Sequence, residues 1–160
     1  MTCRLAGAVL MAGLWWTAPA WSAGDEEAVE NTIRAAVRAT AAFSETRDPR
    51  TVLQLYAQDY LGIQDGEAET RASIEKWLAD YDSELKRGSE LRFISAVSNL
   101  TTGVAGSLAW VTYDYLFQAI RRGDLEGQDA GKCTSLLRKE ASAWIIFHEH
   151  CSKTRTGAGK

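Results

Sequence analysis

The spacing of apolar residues changes period near Gly88, and that change restricts the possible fold more than any single motif. Before Gly88, apolar side chains recur every three or four residues: Val29, Ile33, Ala36, Val37 and Ala41, then Ile74, Trp77, Leu78, Tyr81 and Leu85. That is the helical period. After it the period is two. Phe93, Ser95, Val97 and Asn99 share one parity, and Ala109, Val111, Tyr113, Tyr115 and Phe117 share one face of a run rich in β-branched and aromatic residues. Trp110, Thr112, Asp114, Leu116 and Gln118 form its other face. Three helices followed by a run of antiparallel strands give the α+β class.

Local signals set the boundaries. Residues 25 to about 46 read as the first helix, with Asp25, Glu26 and Glu27 at the end where the helix dipole favours negative charge. Asp48 and Pro49 suit the cap and first position of a short second helix, expected to carry Val52, Leu53 and Tyr56. A short extended piece covers 59–63, and Asp65-Gly66 is a turn signal. The third helix is expected over 70–85, stopped by Gly88. Residues 121–131 are polar and glycine-containing, which predicts a loop. Two strands, 132–139 and 143–151, should flank the turn Glu140-Ala141-Ser142.

The N-terminus has a different character. Arg4 precedes an apolar run from Leu5 to Trp16, shorter than the roughly 20 residues a spanning helix needs. Small residues follow at Ala18, Ala20, Ser22 and Ala23, in the order a signal peptidase accepts. We expect a cleavable signal peptide over 1–22, one domain over 25–153 and a short flexible tail over 154–160. The expected location is periplasmic or secreted, with no stable membrane anchor after cleavage. Removing residues 1–20 lowers Lys plus Arg from 18 to 17 and leaves Asp plus Glu at 21, a net charge of −4. A mildly acidic domain with isolated basic pairs is not expected to bind nucleic acid.

Cys133 and Cys151 remain after cleavage, an even number in an oxidising compartment. A hairpin centred on Ser142 sets them opposite each other. A two-residue turn at Ala141-Ser142 slips the register by one and puts the sulfurs on opposite faces. Both registers are open at this point. Alternation also places Trp144, Ile146, His148 and His150 on one face, with Glu149 pointing away.

The stretch Thr134 to Ser152 carries a family resemblance. Thr134, Arg138, Lys139, Trp144, Ile146, His148, His150 and Ser152 resemble the closing hairpin of the nuclear transport factor 2-like superfamily, in its SnoaL-like, polyketide-cyclase-like branch. Leu55-Tyr56-Ala57-Gln58-Asp59-Tyr60 is similar to the segment after that family's second helix, and Ala109-Trp110-Val111 to its central strand. The turn departs from the family, which often has Asp-Gly or Gly-Gly where this chain has Ala141-Ser142. The resemblance covers about 28–153. It implies a cone, a curved sheet around a pocket closed by helices, and pairing of two copies through the outer sheet face.

On that cone, Trp144, Ile146, His148 and His150 would look inward. The ligand-lining residues expected are Tyr56, Trp77, Tyr81, Trp110, Tyr113, Arg138, His148 and His150. An aromatic cavity with a few polar groups suits a small apolar or aromatic molecule. The alternative is a packed core whose histidines bond to their neighbours. His148 and His150 could converge on a metal, but zinc needs a third protein ligand and no further histidine exists, so no metal and no cofactor is expected. An isomerase, cyclase or hydratase is the enzymatic alternative, using a histidine or an aspartate, Asp59 or Asp114, as acid or base. Ketosteroid isomerase shares the superfamily, but its motif does not map residue by residue onto this chain. A structural dimerisation module with a filled core is a third reading.

Overall fold

The computed structural model describes residues 23–154. The expected signal peptide, and all but Thr154 of the expected tail, lie outside the described residues. The elements run α1 (Ala23–Ala41), α2 (Phe43–Thr46), α3 (Arg50–Leu53), β1 (Tyr56–Gln64), β2 (Glu67–Thr70), α4 (Arg71–Lys86), β3 (Leu91–Ala105), β4 (Leu108–Arg121), β5 (Asp124–Glu140) and β6 (Ala143–Lys153). The six strands form one sheet in the order β2-β1-β6-β5-β4-β3. The fold is α+β, and the curved sheet stays open. Its neighbours pair antiparallel except β1 and β6, which run parallel.

The helices pack their apolar stripes against the sheet's concave face. Val29 and Ile33 of α1, Phe43 of α2, Val52 of α3 and Leu78 of α4 are buried, and they meet Val111, Leu137 and Ile146 from the sheet. Each such side chain stabilises the fold by roughly 1.5–3 kcal/mol relative to exposure. Thr70 and Ser73 form a reciprocal capping box at the start of α4. The Arg71 guanidinium donates to the Leu53 and Tyr56 carbonyls and so ties α4 to the beginning of β1.

Three expectations are corrected. The first helix breaks at Ala42 into α1 and α2, and Arg47 ends α2 in the left-handed region at φ 53. Tyr56 opens β1 rather than extending the second helix, which stops at Leu53. Residues 124–131 are strand, not loop. Hydrogen bonding to β4, through pairs such as Leu116↔Ala130 and Gln118↔Gln128, extends the ladder where neither face carries an apolar pattern. Only Arg122 and Gly123 turn the chain there.

The closing hairpin controls the site. Glu140 pairs with Ala143, so the turn has two residues, with Ala141 at φ 53. That register continues through Lys139↔Trp144 to Leu137↔Ile146. It then slips by one residue, and Leu136 pairs with His148. Phe147 is the extra residue, a β-bulge. The slip brings Cys133 opposite Cys151, and the two are joined as a disulfide. The two-residue turn and the facing cysteines, alternatives in a regular ribbon, are both present because the bulge lies between them.

Candidate functional site

A cavity of about 410 Å³ lies between the concave face and the helices, within the range of small-molecule sites. Ile33 and Ala36 of α1, Trp77 of α4 and Phe117 of β4 give it an apolar side. Behind Trp77 the rings of Tyr81, Phe93 and Phe117 continue the packing, with centroids 4.6 Å apart for Tyr81–Phe93 and 4.8 Å for Phe93–Phe117.

The other side is polar and is centred on Glu149. Beyond the bulge, strand parity is reversed, so Glu149 faces the cavity with buried Cys151. Glu149 Oε1 accepts from Ser135 Oγ at 2.6 Å and from Tyr113 Oη at 2.9 Å. Oε2 lies 3.2 Å from Tyr60 Oη, which is also 3.0 Å from Glu69 Oε2. Ser135 is fully buried and Tyr60 nearly so. Gly62 makes room for that phenol, because a Cβ there would sit 2.4 Å from Tyr60 Oη.

Burial sets the electrostatics. It pushes the Glu149 carboxyl above the usual carboxylate range, and the hydroxyls of Ser135, Tyr113 and Tyr60 pull partly the other way. Glu69 is also raised, first by burial and further by the Glu149 charge, against the Tyr60 hydrogen bond. Burial, reinforced by Glu149, holds the phenols of Tyr56, Tyr60 and Tyr113 well above the ordinary tyrosine range. At neutral pH these phenols are therefore hydrogen-bond donors, not phenolates.

The residues expected from the sequence divide accordingly. Tyr56, Trp77 and Tyr113 line the cavity. Tyr81 is buried behind it, its hydroxyl donating to the Leu91 carbonyl at 2.7 Å. Trp110 lies on the outer sheet face, 44% exposed and over Gly103. Arg138 also faces outward, because its neighbour Leu137 points into the core. It forms a two-pronged pair with Asp59 at 2.6 and 2.9 Å and bonds Glu140. His148 and His150 are on the outer face too, and His150 is exposed. The expectation that they look inward is corrected by the Phe147 bulge, which turns Glu149 inward in their place. Neither candidate aspartate reaches the cavity: Asp59 pairs with Arg138, and Asp114 bonds Asn99 and Lys132 at the surface.

Sequence reasoning missed Glu149, Glu69, Tyr60 and Ser135. A signal for Glu149 was present. A two-residue turn together with a Cys133–Cys151 pair requires an extra residue between them, and that residue reverses the parity of 148–151.

The SnoaL-like domain family matches residues 33–156. No curated protein matches the chain. Among solved structures, a function-unknown protein from Mycobacterium tuberculosis is 17% identical, with TM-score 0.64, covering 86% of this chain and 79% of its own. A candidate scytalone dehydratase from Novosphingobium aromaticivorans is 15% identical, with TM-score 0.64, covering 82% of this chain and 85% of its own. The beta subunit of a benzoate 1,2-dioxygenase from Burkholderia mallei is 12% identical, with TM-score 0.63, covering 82% of this chain and 92% of its own. Likeness at these identities concerns the fold.

Proposed function

The chain belongs to the SnoaL-like domain family, and from that premise we propose that it moves a proton on a small, partly aromatic, oxygen-bearing molecule held in the cavity, as an isomerase, cyclase or hydratase does. The observation that carries this reading is the Glu149 carboxyl, which faces the cavity inside a ring of hydroxyl donors. A carboxyl raised by burial is a stronger base than a solvated one, which suits general acid–base work. Glu149 takes the proton from a carbon beside a carbonyl. Tyr56, which lines the cavity and is kept protonated, donates to the oxygen on which charge develops. Trp77 and Phe117 hold the ring. Two of the structural neighbours, a candidate scytalone dehydratase and the beta subunit of a benzoate 1,2-dioxygenase, support a small-molecule role for this fold.

A second reading, binding without turnover, is favoured by one observation: Glu149 is already bonded by three hydroxyls. Deuterium exchange separates the two. With 2-tetralone in D2O followed by NMR, the native protein should exchange the ketone's α-protons about 100-fold faster than Glu149→Gln, the low end of general-base effects. Binding of the ketone, seen as tryptophan quenching, with equal exchange by both proteins would leave only the binding role.

The proposal places the protein outside the cytoplasm. The Cys133–Cys151 bond supports this, since such bonds persist in oxidising compartments. It also has two copies pairing through the outer sheet face, where Ile94, Leu108 and Trp110 are exposed. Intact mass and light scattering of the exported protein check cleavage and pairing together. An uncleaved N-terminus or a monomer would remove the corresponding part.

A further inference from the structure

The hydrogens around Tyr60 do not suffice for its contacts. Its hydroxyl lies within bonding distance of Glu69 Oε2 and of Glu149 Oε2, at 3.0 and 3.2 Å. A phenol has one hydrogen to donate. If it goes to one carboxylate, the other must supply its own to the phenol oxygen. The opposite oxygen of Glu149 is already served by Ser135 and Tyr113. The missing hydrogen therefore belongs on the Glu149–Tyr60–Glu69 side, where Gly62 leaves space for the phenol.

Glu69 also has a second outlook. Besides lining the cavity, it borders a second, open depression at the β2 edge of the sheet, with Gln64, Ser73 and Lys153. Its side chain is only partly buried. The three groups thus form a line from the cavity interior to solvent.

We propose that Glu149, Tyr60 and Glu69 form a proton-sharing triad that holds one extra proton and carries protons between the bound molecule and the outer surface. The inference rests on the proton-transfer reading of Glu149 and assigns the route by which that proton leaves. At rest Glu149 is ionised and accepts from Ser135, Tyr113 and Tyr60, while protonated Glu69 donates to the Tyr60 oxygen. In turnover Glu69 first releases its proton to water. The C–H bond of the substrate breaks and an O–H bond forms on Glu149. That hydrogen is then donated to the Tyr60 oxygen as the phenol's own hydrogen passes to Glu69. One proton enters from substrate and one leaves to solvent, and no electron is transferred. The titratable and polar groups facing Glu149 are Tyr56 and Tyr60 from β1, Glu69 from β2, Tyr113 from β4 and Ser135 from β5, with His148 adding a charge effect from its own strand. Burial raises both carboxyls, which supports storage of a proton between them.

The test is a carboxyl-carbon NMR titration of the mature chain labelled in glutamate, with no ligand present. In the native protein both Glu69 and Glu149 should report the same two steps, because a coupled pair titrates as a unit. In Glu69→Gln, whose amide still donates to the phenol, Glu149 should lose the second step and titrate once, below the native upper step. Tyr60→Phe should abolish the shared steps, and it serves if Glu69→Gln fails to fold. Single, independent steps in the native protein, or a Glu149 curve unchanged by Glu69→Gln, would overturn the triad. If ketone exchange still depended on Glu149 while these titrations were uncoupled, the proton-transfer reading would stand and the triad alone would fall.

Discussion

The cavity has two sides of unlike construction. The aromatic side, Trp77 with Tyr81, Phe93 and Phe117, comes from α4, β3 and β4. Its residues follow simple alternation and helical spacing, and the rings cover one another, with the Tyr81 hydroxyl satisfied by the Leu91 carbonyl. The polar side, Glu149 with Ser135, Tyr113, Tyr60 and Glu69, draws on five strands. It depends on a bulge at Phe147, a disulfide one pair beyond Thr134↔His150, and a glycine beneath a phenol. Apolar contacts tolerate small shifts, whereas a buried carboxylate without donors costs several kcal/mol. The polar side is accordingly the one held by the most constraints.

That contrast can be broken most forcefully at the disulfide. Replacing Cys133 and Cys151 with serine should lower stability by about 3 kcal/mol, the value for a loop of this length. Denaturant melts of the variant, and of the native protein with reductant, should agree. A loss under about 0.5 kcal/mol in both would show that the polar side holds its register unaided.

The next effect is on pH. The folded-state Glu149 carboxyl lies above its unfolded value, near 4.3 for a free glutamate. Between the unfolded and folded values the folded chain binds more protons, so this group's stabilisation is full below the unfolded value and is lost as pH rises through the folded one. Glu149→Gln should flatten that decline in melts taken from pH 4 upward. A decline equally steep in the variant would remove Glu149 from the account. Asp82, held below its usual range by Lys86 and Arg47, acts in the opposite sense, its contribution fading as pH falls. It leaves the comparison of the two proteins unaffected.

The smallest effect belongs to the aromatic side. Trp77 is 38% exposed, so Trp77→Ala should cost about 1–2 kcal/mol, less than a fully buried ring. It should weaken 2-tetralone binding about tenfold while leaving the Glu149 titration in place. A change in that titration would mean that the two sides are not separate.

Much of the fold was legible because it follows local rules. The change of period near Gly88, the Thr70 start of α4 and the inward odd face of β4 all appear where patterning put them. Residues 124–131 were not legible as strand, since exposure on both faces erases alternation and only pairing with β4 reveals them. Tyr56 shows the same limit in reverse: an apolar residue at helical spacing from Val52 was taken up by β1 instead.

The sequence by itself determined the α+β class, the supply of aromatic residues for a cavity and the two cysteines able to close the hairpin. Only the tertiary structure decided which residues of β6 enter that cavity. Alternation counts residues, and Phe147 has no glycine, proline or polar signal to mark it as one too many. The choice is made by distant contacts acting together. Trp144 and Ile146 are packed inside before the bulge and Cys151 is bonded inside after it. One residue must therefore drop out of register between them, which turns the imidazoles outward and brings the carboxylate in.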